Sequence, residues 1–400
     1  MGWFIGILLA IFLFAVWCYA DFHLGYYLHK KQWKKRSYPC RKGHLQLITN
    51  GPELFETYFQ DLKDAKSSIH ILFYIVKNDP FSQTFWDVLM DKAREGVKVQ
   101  LLLDWLGSRH VRKKWIKTAR SCGIDIAFCH TPRWPFLIFT LQQRNHRKIT
   151  IIDDCIGYLG GYNIGKEYID LDPKLSPWRD YHMRMSGEGI SDLQDEFMVD
   201  WVRATKMSEP EYESKKVINE DWQMLHRFYP SEGIAVEYHL LKLIDGAKKS
   251  IMIGTPYFIP TEAIMKSIET ALKRGVSITV LVPDTADHPI VKEASFPYLR
   301  RLLSGGGQAY QFEKGFFHAK VMIVDGDICD IGTANFDRRS MLLNHEINCY
   351  IYDKTFITEV EHALYDDISH SHKMSLEKLN NLSFGVRLKE WIGWAIKGLL

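Results

Sequence analysis

NHRKITIIDDCIGYLGGYN, residues 145–163, and FHAKVMIVDGDICDIGTAN, residues 317–335, carry one pattern twice. In each, a histidine and a lysine two apart stand at the head of an apolar run. After four intervening residues comes an aspartate, and after six more a glycine, a small residue, any residue and an asparagine. The first copy supplies His146, Lys148, Asp153, Gly160, Gly161 and Asn163; the second supplies His318, Lys320, Asp325, Gly332, Thr333 and Asn335. The two-residue period of a strand sets His and Lys on one face. The apolar residues bury that strand, and the glycine lets the next segment come close enough for its Asn to reach the same face.

The duplication extends outward. DAKSSIHILFYIV (64–76) matches GAKKSIMIGTPYFI (246–259), and KAREGVKVQLLLD (92–104) matches LKRGVSITVLVPD (272–284). In the second pair a helix stops at Gly96 or Gly275 and a β-branched strand follows. Strands alternating with helical segments predict an α/β fold, a mixed sheet flanked by helices in each half. Duplicated halves pack about a pseudo-twofold axis, so a residue near the axis meets its counterpart. The expected site therefore holds two imidazoles, two ammonium groups and two amides around one pocket.

That set suits phosphoryl chemistry, in which negative charge grows in the transition state and fixed cations and amide donors stabilise it. One histidine attacks phosphorus, while the other protonates the leaving oxygen and then deprotonates the acceptor. Zinc is the rival use of two histidines. An ammonium beside each imidazole repels a dication, and no HExxH or Cys/His ligand set is present, so neither metal nor cofactor is expected. Asp153 and Asp325, at strand ends before turns, are candidates for the site but also for fixing the turn itself.

Composition bounds the partner. With 51 Lys+Arg against 48 Asp+Glu the net charge is +3, which gives no bulk field for nucleic acid. Seven scattered cysteines without a CxxC pair fit reduced thiols. Residues 2–20, GWFIGILLAIFLFAVWCYA, hold no charge over 19 residues. As a helix they span roughly 28 Å, close to a bilayer core. No basic residue precedes them and bulky residues end them, unlike a cleaved signal peptide. Lys30, Lys31, Lys34, Lys35, Arg36, Arg41 and Lys42 follow directly, placing the bulk of the chain on the cytoplasmic side of a single-pass cell-membrane anchor. A buried core helix is the alternative.

The tandem motif resembles the HKD motifs of the phospholipase D superfamily. The surrounding NHRKITIID, GGYNIGKEY, WRDYH, TPYFIP, GFFHAK, GTANFDRRS and NHEIN are similar to the set found in bacterial cardiolipin synthases, from about residue 44 to the C-terminus. Thr333 stands where many members carry Ser, and GGGQAY (305–310) is a less typical run; neither removes a reacting group. The resemblance implies two phospholipase D-type sandwich halves behind a transmembrane helix. It also implies transfer of a phosphatidyl group from one phosphatidylglycerol to another, with release of glycerol, through a phosphatidyl-histidine. His146 would be the nucleophile and His318 the general acid and base. Lys148, Lys320, Asn163 and Asn335 would hold phosphate oxygens, and Asp180 in WRDYH and Glu346 in NHEIN would orient the histidines. Two alternatives are a phospholipase D-type hydrolase of phospholipid or, less expected, of nucleic acid, and a membrane-tethered binding protein without turnover.

The expected organisation is an anchor (1–25), a basic linker (26–43), a first half (44–205), a linker (206–219), a second half (220–375) and a C-terminal amphipathic helix (376–400). WPFLIFTL (134–141), Phe316 and Phe317 lie next to the motifs, either as lipid-facing surface or as core. The last helix sets Phe384, Leu388, Trp391, Ile392, Ala395 and Leu399 on one face and Lys389, Glu390 and Lys397 elsewhere. It is read as lying on lipid headgroups or on the protein's own surface.

Overall fold

The computed structural model describes residues 2–207, 223–288, 290–396 and 398. It opens with α1 (Gly2–Gln32). The first half runs β1 (Arg41–Asn50), α2 (Gly51–Asp64), β2 (Ser68–Phe73), α3 (Pro80–Arg94), β3 (Lys98–Asp104), α4 (Lys113–Ser121), β4 (Asp125–Cys129), α5 (Leu137–Gln142), β5 (Ile149–Ile152), β6 (Ile156–Gly160), β7 (Trp178–Gly187) and α6 (Ile190–Thr205). The second half repeats this order as β8 (Met224–Glu232), α7 (Val236–Gly246), β9 (Ser250–Gly254), α8 (Glu262–Lys273), β10 (Ser277–Pro283), α9 (Val291–Ser304), β11 (Gln308–Phe312), β12 (Phe316–Phe317), β13 (Val321–Val324), β14 (Ile328–Gly332), α10 (Arg338–Leu342), β15 (His345–Ile351) and α11 (Lys354–Ser369). The chain closes with β16 (Ser371–Lys373), α12 (Leu376–Asn380) and α13 (Phe384–Ala395). The expected linker at 206–219 falls, beyond its first two residues, outside the described residues.

Local chemistry sets these limits. Asn50 and Asp79 cap α2 and α3, each followed within two residues by a proline that cannot donate to a preceding turn. Gly96 and Gly275 take positive φ, 91° and 87°, where the helices stop, as the sequence pattern predicts.

The described strands form one mixed sheet, in the order β16-β11-β10-β9-β13-β14-β15-β8-β1-β7-β6-β5-β2-β3-β4, with β12 beside β7. Reading outward from the β8–β1 seam gives equivalent strands in both directions, which is the predicted pseudo-twofold relation. The seam is a short antiparallel ladder, Arg41 to Gly43 opposite Met224 to His226. One hydrophobic cluster draws on both halves, including Leu45, Met183 and Leu193 from the first and Phe317, Ile331 and Ile347 from the second. Burial of such a shared core makes the halves one cooperative unit rather than two linked domains.

Two boundaries differ from the sequence reading. Helix α1 runs seven residues past the expected anchor, because its last turns have protein to pack against. Asp21, Gly25 and His29, spaced by four, share one face. Asp21 accepts the backbone N–H groups of Leu137, Ile138 and Phe139, and His29 Nε2 lies 2.6 Å from the Glu232 carbonyl. A Cβ on Gly25 would stand 2.7 Å from that of Phe139, so glycine is needed for this approach. The basic linker is also shorter than expected, since β1 already starts at Arg41. Within it, Arg36 pairs with Glu196 and Glu232, and Arg41 with Asp192, so these two arginines fasten the segment to the protein.

The apolar candidates divide as well. Phe316 and Phe317 are fully buried core and face no lipid. In 134–141, Phe139 is buried under α1, whereas Trp134 is exposed, its ring tilted 38° to that of Trp17 at 6.1 Å.

Candidate active site

The two motifs enter the site on backbone supplied by the opposite half. The extended stretch before β5 does not begin its own strand at His146; instead the His146 N–H donates to the His345 carbonyl at 2.9 Å. Correspondingly, the His318 N–H donates to the Arg179 carbonyl at 2.7 Å. Each partner residue immediately precedes an acid, Glu346 or Asp180. The expectation that His and Lys head a regular strand is therefore corrected: they lie in the lead-in, which pairs across the pseudo-twofold axis.

This crossing delivers the acids. His146 Nδ1 lies 3.0 Å from Glu346 Oε2, and His318 Nδ1 lies 2.6 Å from Asp180 Oδ2. A carboxylate only accepts, so each ring carries its proton on Nδ1 and turns a bare Nε2 lone pair outward. Glu346 is itself held: Thr333 Oγ1 donates to Oε2 at 2.6 Å and Ser340 Oγ to Oε1 at 2.8 Å. The Thr for Ser exchange at 333 thus keeps its hydroxyl at work. Burial pushes the carboxyls of Asp180 and Glu346 up, but the facing histidine and lysine outweigh it and hold both below the usual range.

Burial, with the neighbouring lysines, lowers both histidines against the pull of their acids, His318 to about 4. Both are neutral at pH 7, as a nucleophile or general base must be. Lys148 drops to about 7, chiefly by burial. Lys148 Nζ donates to the His146 carbonyl at 2.6 Å, and Lys320 Nζ donates to the His318 carbonyl and lies 3.4 Å from Asp180 Oδ2; its 2.6 Å approach to His318 Nδ1 is a close contact and no hydrogen bond, because that nitrogen gives its proton to Asp180. The lysines thus sit behind the histidines rather than on the cavity wall.

Both histidines line one cavity of about 430 Å³, together with Asn163 and Asn335. Each amide commits one N–H, Asn163 to Tyr168 Oη and Asn335 to Asp337, leaving its second for a ligand. Aromatic edges fix the rings: Tyr74 is 5.0 Å from His146, Trp178 is 4.8 Å from His318, and Tyr257 is 6.5 Å from His318. Tyr74 and Tyr257 come from the first repeated stretch, FYIV and PYFI, a signal present in the sequence but not used there.

Asp153 and Asp325 stand elsewhere. Each takes positive φ, 52° and 56°, and its carboxylate accepts consecutive backbone N–H groups, Lys66 to Ser68 or Lys248 to Ser250. Neither lines the cavity; they tie the end of one strand to the start of its neighbour, which corrects their placement among the catalytic candidates.

Neutral burial has a pH consequence. His318 titrates near 6.5 when unfolded and about 4 when folded, so between these values the unfolded chain binds more protons. Stability is therefore lost as pH falls across that window, by about 3 kcal/mol for this residue. His130 and His182, both lowered to about 3, act in the same direction. Melting temperature followed from pH 7 to 4 should fall less steeply in His318→Gln than in the unaltered chain; parallel curves would refute the assignment.

A family model described as "Cardiolipin synthase, PLD-like domain" matches residues 58–174 and 240–368, more than half of the chain and one match per half. The chain belongs to this family. It is 37% identical to the minor cardiolipin synthase ClsB of Bacillus subtilis (strain 168), over 99% of both chains. It is 35% identical to the major cardiolipin synthase ClsA of the same organism, over 89% of this chain and 75% of that one. Among solved structures, a phosphatidylserine synthase from Haemophilus influenzae Rd KW20 superposes with a TM-score of 0.74 at 16% identity, covering 90% of this chain and 97% of that one. At that identity the likeness speaks for the fold alone.

Proposed function

We propose that this phosphatidyltransferase joins two phosphatidylglycerol molecules into cardiolipin and releases glycerol. The observation that carries the reading is the crossed pairing, two neutral imidazoles facing one cavity with each held by an acid of the other half. The near-full-length similarity to cardiolipin synthases supports the acceptor and favours neither hydrolysis nor a tether without turnover.

The geometry supports a double displacement. The Nε2 lone pair of His146 attacks phosphorus, a P–N bond forms and the bond to the glycerol oxygen breaks. His318 gives that oxygen a proton. A second phosphatidylglycerol then enters; His318 takes the proton from its glycerol hydroxyl, the oxygen attacks phosphorus and the P–N bond breaks. His318 needs a proton for the first half. An arriving phosphodiester anion opposes the charge of Lys320 and draws one onto the ring. Asn163 and Asn335 offer their spare N–H groups to the phosphate, and Lys148 and Lys320 act from behind the rings, the arriving anion favouring their charged forms. Cavity carboxylates Glu167 and Asp287 suit the hydroxyls of a polyol headgroup.

The segment Trp3–Gln32 of α1 is long and apolar enough to cross a membrane, and no part of its most apolar stretch is buried among the described residues. We place the catalytic part on the cytoplasmic side, on the lysines that follow α1.

Incubating headgroup- and chain-labelled phosphatidylglycerol with the full chain and resolving the lipids tests this. Cardiolipin with free glycerol is the expected result; phosphatidic acid would establish a hydrolase, and no product a tether.

A further inference from the structure

The C-terminal helix is seated the wrong way round for an ordinary surface helix. At about 100° per residue, Phe384, Leu388, Trp391 and Trp394 fall on one side of α13 and Val386, Glu390 and Gly393 on the other. The side that docks is the second. Gly393 is buried against α9, where a Cβ would meet Ala294 at 2.8 Å and Ile290 at 3.0 Å. Val386 packs on the second-half core, Glu390 pairs with Arg300 at 2.6 Å, and Lys389 reaches Glu293 at 3.5 Å. The aromatic side stays largely exposed: Phe384 is 83% exposed, Trp391 65%, Trp394 51% and Leu388 47%. Apart from α1, no other described helix exposes four large apolar residues in this way.

The seat is fixed by ion pairs and by a glycine that no larger residue can replace, so the outward aromatic face belongs to the fold. Two tryptophans, a phenylalanine and a leucine beside Arg387 match a headgroup boundary, where indole rings sit with one edge apolar and the other wet and a basic residue meets anionic lipid. Position strengthens this. Ile290, which packs on Gly393, adjoins Val291, which lines the catalytic cavity. Helix α13 is thus one helix removed from the catalytic cavity. A cleft between α9 and α13, lined by Arg300, Arg387, Trp391 and Trp394, opens on the same side of α13 as the two indoles.

We infer that α13 is a second membrane-contact element, whose aromatic face inserts into an anionic bilayer surface and holds the cavity mouth against it. The N-terminal helix tethers the chain; α13 sets its tilt. The inference deepens the proposed function, but one readout below does not depend on turnover, so failure of one is distinguishable from failure of the other.

The full chain reconstituted into vesicles of phosphatidylglycerol and bromine-labelled phosphatidylcholine supplies the first test. Bromine quenches only tryptophans that reach the acyl region. The Trp391→Phe/Trp394→Phe chain keeps the face apolar and should lose at least about a quarter of the quenchable emission, since the face inserts shallowly with α1. Unchanged quenchable emission overturns the inference. In the second test, Trp391→Glu/Trp394→Glu should lower turnover on bilayer phosphatidylglycerol about tenfold while leaving turnover on monomeric short-chain phosphatidylglycerol within about twofold. Equal loss on both substrates, or none on bilayers, contradicts it. So does a concentration-dependent dimer in detergent that the glutamates abolish, which would make a second copy of the chain the occupant of this face.

Discussion

Replacing His146 or His318 by Ala is expected to lower cardiolipin formation by at least about 10⁴-fold each, with the double variant little worse than either single one. The reason is that the two rings act as a unit. Without His146 there is no nitrogen to take the phosphatidyl group; without His318 the glycerol oxygen must leave as an alkoxide and the acceptor hydroxyl must attack without a base. Their burial, 9% and 7% exposed, leaves little room for water to substitute as a proton carrier. Steady-state turnover of labelled phosphatidylglycerol checks this. Additive losses, the double variant falling by the product of the singles, would mean that the histidines serve separate sites and that the shared cavity is not where reaction occurs.

Replacing Glu346 by Gln, or Asp180 by Asn, should lower kcat roughly 10²- to 10⁴-fold with little change in KM. Neither acid is placed to touch substrate. Glu346 holds the His146 proton on Nδ1 while accepting from Thr333 and Ser340 on its two oxygens. An amide puts an NH₂ in place of one accepting oxygen, facing those donors, so the ring loses its reason to carry hydrogen on Nδ1 and the Nε2 lone pair is no longer assured. The neutral replacements keep side-chain size, which separates this effect from the loss of an entire buried partner, worth about 3–5 kcal/mol of stability when a charge is stranded. Two readouts go beyond a structural role. The pH profile of kcat/KM should shift in each variant, and Glu346→Asp, which restores the carboxylate at a shorter reach, should recover part of the rate. An unaltered kcat in Glu346→Gln, at an unchanged melting temperature, would remove the acid from the mechanism.

The repeated motifs made most of the fold legible before any coordinates. Two runs of identical spacing predict two equivalent strand-turn-strand units, and the Gly96 and Gly275 stops fall where the helices end. What a repeat does not state is how its copies meet. Equivalence makes Asp180 and Glu346 counterparts, yet only the antiparallel seam at β1–β8, and the lead-ins that pair with His345 and Arg179, determine that each acid serves the other half's histidine. Asp153 and Asp325 leave two uses open in the sequence, in the site or at a turn, and the second is the one found. Aspartate at fixed spacing from a lysine reads as chemistry, whereas the spacing is that of a strand whose end binds the backbone N–H groups of its neighbour. Helix α13 shows a third limit: its apolar periodicity was visible, but burial of the opposite face depends on Gly393 meeting Ala294, a contact that no local pattern encodes.

The central claim is that one site, completed by both halves, passes the phosphatidyl group through a histidine. Phosphorus-labelled phosphatidylglycerol turned over by the full chain, quenched in alkali where phosphoramidate bonds survive, and digested for peptide mapping tests it most directly. The account predicts label on Nε2 of His146. Label on Nδ1, on any other side chain, or on no residue at all would contradict it.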